Sequence, residues 1–162
     1  MTRETRAPVL ALVALAVISL SACAAPAAAR LQPGERTVYL TAFEPKGSAS
    51  VDKEPFPEAS LPPGGGYVLK EPDDTGTWQV ETYVWLPGEI TVVEGDKVTL
   101  QVLGVNGAIH PSRIEGYDVG FEVKRGQVTT VTFTADKAGV FKILCDAHQP
   151  SMTGTLIVLP AS

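Results

Sequence analysis

The chain has 162 residues, of which 44% are hydrophobic and 19% charged, and this fits one globular domain with short appendages. Acidic residues outnumber basic residues by 18 to 13, and no basic stripe is present that would meet a phosphate backbone. The composition therefore argues against a nucleic-acid partner. The acidic excess lies before residue 101, where it is typical of a solvated surface or, less commonly, of a face that steers a basic partner protein.

The first 22 residues have the order of a secretory signal. A short positive start is followed by an uncharged apolar run, Ala7–Leu20, and then by small residues just before Cys23. We therefore predict a signal peptide over residues 1–22. An uncleaved membrane helix is the alternative, since residues 7–29 carry no charge, but Pro26 and the alanine-rich second half disfavour it. Both interpretations place the folded part outside the cytoplasm.

The position of Cys23 resembles the lipobox of bacterial lipoproteins. The resemblance implies that Cys23 is lipidated and anchors the exported domain to a bacterial membrane, in the periplasm or at the outer cell surface. Residues 23–36 are small and punctuated by proline and glycine, which predicts a flexible tether. The folded domain is predicted over residues 37–162. Which membrane carries the anchor is left open.

The domain region shows strand periodicity and, outside the signal, no convincing helical periodicity. Strands are predicted over residues 37–43, 78–86, 97–105, 128–133, 140–144 and 154–159. Within 97–105, Val98, Leu100 and Val102 fall on one face of the strand. Many short strands with turn residues between them predict an all-β domain, an antiparallel β-sandwich or Greek-key barrel.

A long insert, Gly47–Gly76, interrupts this pattern. It is rich in proline and glycine, includes the run Gly64-Gly65-Gly66, and shows no periodicity. A structureless loop of this length is unusual in a compact domain, so the insert is either an ordered flap or a mobile segment. The sequence does not decide between the two, and the role of the insert is open.

Four side chains carry metal-binding chemistry. Cys145, His148 and Met152 fall within eight positions, and His110 lies at the end of another strand region. With Cys23 assigned to the lipid, Cys145 is a lone thiol in an oxidising compartment, which is a liability unless a metal occupies it. Each residue alone has a structural explanation, as a buried cysteine, core methionine or surface histidine. Together, a thiolate, two imidazoles and a weak thioether predict one copper ion.

The segment AGVFKILCDAHQPSMTGTLIVLP resembles the C-terminal motif of cupredoxins, the blue copper proteins, and GVNGAIHPSRIEGYDVGFEVKRGQVTTVTF resembles the preceding strands with the first histidine ligand. The chain is also similar to the copper domains of cytochrome oxidase subunit II and nitrous oxide reductase. The resemblance covers roughly residues 78–160 and implies a cupredoxin-like Greek-key sandwich. It implies that His110, Cys145 and His148 are equatorial ligands and that Met152 is axial.

Two departures from the family pattern qualify the resemblance. The dinuclear copper centre of the oxidase domains needs two cysteines, and only Cys145 is available, so that centre is excluded. In many blue copper proteins an asparagine follows the first histidine and bonds back to the ligand loop, whereas Pro111 stands here. Asn106 or Ser112 is the candidate replacement.

These observations give a first hypothesis of one-electron transfer by a lipid-anchored, monomeric copper protein that docks transiently with redox partner proteins. His148 is the expected electron exit. The alternative is copper capture or delivery without redox turnover, which uses the same ligands. An enzyme with Cys145 and His148 as nucleophile and base is disfavoured, because no orienting third group is evident. A metal-free binding sandwich is the last alternative. The partners, the reduction potential and the direction of electron flow are not specified by the sequence.

Overall fold

The computed structural model describes residues 30–162. The predicted signal peptide (1–22), the predicted lipidation site Cys23 and the first part of the predicted tether lie outside the described residues. Residues 30–162 contain twelve β-strands and no α-helix, and thus no helix with the length and apolar character to cross a membrane. The strands are β1 Glu35–Phe43, β2 Lys46–Ser50, β3 Tyr67–Lys70, β4 Thr77–Thr82, β5 Val84–Leu86, β6 Glu89–Val93, β7 Lys97–Gly104, β8 Ile109–Ile114, β9 Val119–Lys124, β10 Val128–Thr134, β11 Gly139–Cys145 and β12 Thr153–Leu159.

Two sheets pack face to face, which confirms the predicted all-β sandwich. One sheet has the strand order β10-β7-β1-β5, and the other has the order β6-β12-β11-β8-β9. β1 runs parallel to β7 and β6 runs parallel to β12, while the other neighbours are antiparallel. The sandwich is therefore mixed, whereas the sequence pattern predicted a wholly antiparallel one.

The core lies between these two sheets and follows from strand alternation. Val98, Leu100 and Val102 of β7 are at most 1% exposed, as the sequence predicted. They pack in one cluster with Leu156 and Val158 of β12 from the opposite sheet. Each such side chain contributes about 1.5–3 kcal/mol on full burial, so the two inner faces hold the sheets together.

The observed strands differ from the predicted ones in two respects. β6, β8 and β9 of the sandwich, and β2 and β3 in and next to the insert, are strands that the periodicity did not assign. The predicted strand 78–86 is divided at Tyr83 into β4 and β5, which belong to different sheets. The chain thus changes sheets at Tyr83, and this residue lies at the junction.

The insert is an ordered layer built on β4. β2 and β3 pair antiparallel with the two edges of β4 to form a third sheet, of order β2-β4-β3. Trp78 of β4 is 5% exposed, and its indole N–H donates to the carbonyl of Glu54 at 2.9 Å. The Phe56 ring meets the indole edge-on, with centroids 6.0 Å apart. Trp78 therefore anchors the loop between β2 and β3 to the rest of the domain.

The last residues of the predicted tether pack on the domain. β1 begins at Glu35, two residues before the predicted domain boundary. The buried carboxylate of Asp96 accepts hydrogen bonds from the backbone N–H groups of Gly34 and Val93, both at 2.7 Å, and pairs with Arg36. Asp96 therefore fastens the start of β1 to the turn between β6 and β7.

This carboxylate makes the stability of the domain depend on pH. Burial alone would raise the pKa of Asp96, but the Val93 and Gly34 N–H groups and the Arg36 guanidinium hold it below its usual value. Because the pKa of Asp96 is lower in the folded state, the ionised carboxylate stabilises the fold at any pH above its unfolded-state pKa of about 3.9. This stabilisation is lost as the pH falls through the folded-state pKa.

We predict that Asp96→Ala lowers the free energy of unfolding by about 3 kcal/mol at neutral pH, because three donors lose their partner. The deficit should shrink as the pH falls below about 4, because Asp96 of the unfolded chain takes up a proton there while the folded-state carboxylate does so only at lower pH. Denaturant unfolding from neutral to acidic pH measures both effects. The exposed Asp118→Ala serves as the control, and a deficit independent of pH would contradict the role of the charge.

Candidate metal centre

Strand pairing brings His110 to Cys145. Cys145 is the last residue of β11 and stands opposite Ser112 of β8. His110 lies two residues before Ser112 and so faces the same side of the sheet. Both Cys145 and His110 are 0% exposed. His110 is the second residue of β8, so it lies at the start of a strand, whereas the sequence pattern placed it at a strand end.

A closed loop between β11 and β12 returns His148 to the same place. The backbone N–H of His148 donates to the Cys145 carbonyl at 3.3 Å, and that of Met152 donates to the His148 carbonyl at 3.0 Å. The Cys145 N–H in turn donates to the Met152 carbonyl at 3.2 Å. The Gln149 side-chain amide donates to the carbonyls of Cys145 and Met152, both at 2.9 Å, and so ties the loop together.

Three donor atoms converge at the open end of this loop. Nδ1 of His110 lies 3.2 Å from Nδ1 of His148. The Cys145 Sγ lies 3.9 Å from Nδ1 of His110 and 3.3 Å from Nδ1 of His148. A triangle with these sides has a centre about 2.0 Å from all three atoms, which is close to the bond lengths of first-row metals to imidazole nitrogen and thiolate sulfur, about 2.0–2.3 Å. The donor set and its spacing thus fit one metal ion.

The hydrogen bond on the far side of the His110 ring fixes its tautomer. Nε2 lies 3.0 Å from the backbone carbonyl of Asn106. A carbonyl can only accept, so Nε2 carries the hydrogen and Nδ1 presents a lone pair toward Cys145. Orientation of a ligand ring through its other nitrogen is usual for metal-binding histidines.

Comparison with known proteins identifies the domain. A family model described as a cupredoxin-like domain matches residues 60–158. The chain belongs to the cupredoxin-like family. Its similarity to cytochrome c oxidase subunit 2 of Thermus thermophilus is 30% identity over 95 residues, which cover 52% of this chain and 69% of that protein. The same subunit from a further strain of that species matches with the same identity, over 55% of its length.

Solved structures agree on the fold. The multicopper oxidase mgLAC matches with a TM-score of 0.51 and 19% identity, and the blue copper oxidase from Nitrosomonas europaea matches with a TM-score of 0.50 and 19% identity. Each match covers 79% of this chain and 40% of the other. The matched part therefore covers less than half of either copper oxidase, and the likeness is one of fold.

Burial and nearby dipoles set the electrostatics of the cupredoxin site. Burial raises the pKa of the Cys145 thiol, and the nearby dipoles of the Ala147 and His148 N–H groups and of the Ser112 hydroxyl act in the opposite direction. Burial also lowers the pKa of His148, and the neighbouring His110 adds to the effect. A neutral imidazole is the form that binds a metal, so His148 is held ready for coordination at neutral pH.

Both residues proposed to replace the family's asparagine lie at the site. The side chain of Asn106 bonds the backbone of Glu44 as donor and acceptor, each at 2.8 Å, while its carbonyl holds His110. The Ser112 hydroxyl donates to the His110 carbonyl at 3.0 Å. The Pro111 carbonyl accepts the N–H of Asp146 at 2.8 Å. The link between β8 and the ligand loop is therefore made by backbone.

Met152 and Asp146 occupy contrasting positions. Met152 is 0% exposed and belongs to the core cluster together with Cys145. Asp146 is about half exposed and pairs with Arg113 on the surface. Its carboxylate is thus engaged by the Arg113 guanidinium.

Two features that the sequence did not assign to the site cover the ligand loop. The Tyr83 ring lies parallel to the His148 ring, with centroids 3.7 Å apart and an angle of 6° between the planes. The glycine strap, Gly64–Gly66 of the insert, lies directly on the backbone of residues 147–151. The triple-glycine run was visible in the sequence, but nothing there connected it with the ligand loop.

Gly66 makes the hydrogen bonds that attach the glycine strap to the ligand loop and to Tyr83. Its N–H donates to the Gln149 carbonyl at 3.2 Å, and its carbonyl accepts from the Tyr83 N–H at 3.0 Å and from the Ser151 hydroxyl. A Cβ at Gly66 would lie 2.5 Å from the carbonyl oxygen of His148 and would also meet Ser151. Only glycine permits the strap to approach the ligand loop this closely.

We predict that Gly66→Ala separates the strap from the ligand loop and lowers the free energy of unfolding by about 1–3 kcal/mol, because backbone groups that now pair are pulled apart. Denaturant unfolding and faster amide exchange at Tyr83 measure the effect. Gly34→Ala is the matched control, since its Cβ meets nothing within 4 Å. Equal behaviour of the two variants would contradict the close-approach argument.

Proposed function

We propose that this cupredoxin domain binds one copper ion through His110, Cys145 and His148, with Met152 as a weak fourth ligand, and that it acts in one-electron transfer. The observation that carries the proposal is the triangle of donor atoms with sides of 3.2, 3.3 and 3.9 Å. When bound, copper supplies a centre that changes oxidation state by one electron, which thiolate, imidazole and thioether ligands together accommodate.

The residues around the triangle keep the donors in one arrangement. Asn106 orients the His110 ring, and Gln149 fixes the two ends of the ligand loop. The glycine strap holds the outer side of that loop. Rigid support on three sides limits movement of the ligands between oxidation states, which is the property that an electron carrier needs.

Exposure indicates where an electron would leave. His110 and Cys145 are fully buried, whereas the His148 side chain is partly exposed. We therefore propose His148 as the exit toward a redox partner that docks transiently over a small patch. The full burial of Cys145 closes the sulfur to a substrate, and for this reason we propose a carrier and not an enzyme.

The cellular place of the domain is proposed from its N-terminus. The charged start, apolar run and Cys23 support export and lipid anchoring outside the cytoplasm, on a bacterial membrane. The relationship to cytochrome c oxidase subunit 2 of Thermus thermophilus supports a respiratory electron-transfer setting. The domain is proposed to act as a monomer with a single copper ion.

We predict that the purified domain binds one equivalent of Cu(II) and develops an intense visible thiolate-to-copper absorption that bleaches with a reductant. Cys145→Ser should lose this band, because an alcohol replaces the thiolate. Absorption and EPR spectroscopy of the two proteins provide the measurement. A colourless, redox-silent copper complex of the wild type would rule out electron transfer.

Replacement of Met152 tests the weak fourth ligand. We predict that Met152→Leu keeps the visible band, since thiolate and imidazoles remain, and raises the reduction potential, since Cu(II) loses a donor that Cu(I) needs less. Redox titration followed at the visible band gives the potential. An unchanged potential would show that the thioether does not act on the metal.

Copper delivery would use the same ligands as electron transfer. The two functions can be distinguished by the rates at which the protein transfers copper and exchanges electrons. The proposed carrier should retain its copper in the presence of a chelating acceptor while exchanging electrons rapidly with a small redox mediator. Rapid transfer of copper to the acceptor, with slow electron exchange, would favour delivery instead.

A further inference from the structure

Tyr83 covers one face of the ring that the proposed function uses as electron exit. Its ring stacks on His148 at 3.7 Å and lies edge-on to His110 at 6.0 Å. Tyr83 thus contacts the one ligand ring that is not fully buried. Offset or parallel contacts between aromatic rings hold both rings in a defined orientation.

The position of Tyr83 is itself fixed at both ends of the residue. Its backbone N–H donates to the Gly66 carbonyl at 3.0 Å, within the glycine strap. At its other end the hydroxyl lies near the Glu44 carboxylate, and burial together with this carboxylate raises the pKa of Tyr83 to about 12. Glu44 is 3% exposed, pairs with Lys46 at 3.1 Å, and is held through its backbone by Asn106.

The two histidines are held in different ways. The Nε2 of His110 is held by the Asn106 carbonyl. Among residues 30–162, His148 makes its side-chain polar contacts through Nδ1, toward His110 and Cys145. The orientation of its ring therefore depends on the stacked neighbour and not on a hydrogen bond from Nε2.

We propose that Tyr83 is a positioning residue for His148: the tyrosine ring, held in place through its backbone bond to the glycine strap, directs Nδ1 of His148 toward the Cys145 sulfur. The inference rests on the proposed function only in treating His148 as a copper ligand. The stacking acts on the metal-free protein as well, so it can be tested separately from copper binding.

The first experiment uses NMR of the metal-free domain. In the wild type, the His148 ring protons should be displaced upfield by the Tyr83 ring current and should show NOEs to the Tyr83 ring. Tyr83→Phe should keep the displacement, because the ring remains, and Tyr83→Leu should lose it. Tyr39→Leu, at a 69% exposed position of β1, is the matched control. Absence of both signals in the wild type would overturn the proposal without any variant.

The second experiment measures copper release into an excess of chelator. Tyr83→Leu should release copper about fivefold faster than wild type, as expected when one aromatic contact on a ligand is lost. Tyr83→Phe and Tyr39→Leu should stay near the wild-type rate. Equal rates for Tyr83→Leu and wild type would overturn the positioning role at the metal.

The two experiments distinguish the inference from the proposed function. A wild type that shows the His148 displacement but no thiolate-to-copper band retains the stacking role and loses the copper function. A wild type with the band, combined with His148 signals that Tyr83→Leu leaves unchanged, retains the function and loses the role of Tyr83.

Discussion

The register of β8 against β11 is the constraint on which the metal centre depends. Cys145 is paired with Ser112, and His110, two residues before Ser112, lies on the same face of β8. Because side chains alternate along a strand, a slip of one residue would turn His110 away from the sulfur. The register is held by the core, since Ile143 and Ile114 oppose each other two residues further along and are both 1% exposed. The hydrophobic core thus specifies the spacing of the polar site.

The third sheet connects the insert with the ligand loop. β4 carries the insert, β5 joins the main sandwich, and Tyr83 lies between them. The same residue bonds the glycine strap and stacks on His148. A Cβ at any of the three strap glycines would come within 2.6 Å of a carbonyl oxygen of the ligand loop, so the close contact between strap and loop requires all three. The insert therefore acts as a structural cover for the site as well as an appended layer.

Local patterns were predictable from the sequence, and long-range contacts were not. The alternation of β7 predicted its buried face, and Cys145, His148 and Met152 were found because they share one short loop. β8 and β9 were not assigned although they are as long as strands that were, because Pro111 and Gly120 within them are residues that weaken a strand pattern. Stacking of Tyr83 on His148 joins residues 65 positions apart and depends on the change of sheets after β4, which no local pattern encodes.

The metal-binding interpretation follows most directly from the competition among the three donors. Two ring nitrogens and a sulfur face one point, with separations of 3.2 to 3.9 Å. Without a metal, these atoms can be linked only through the thiol proton and a proton on Nδ1 of His148, and the separation from Sγ to Nδ1 of His110 is then long for a hydrogen bond, at 3.9 Å. A cation at the centre satisfies all three atoms at once, and the nearby N–H dipoles of Ala147 and His148 then favour a bound thiolate. The cost of burying these groups is thus offset by the ion that they are arranged to hold.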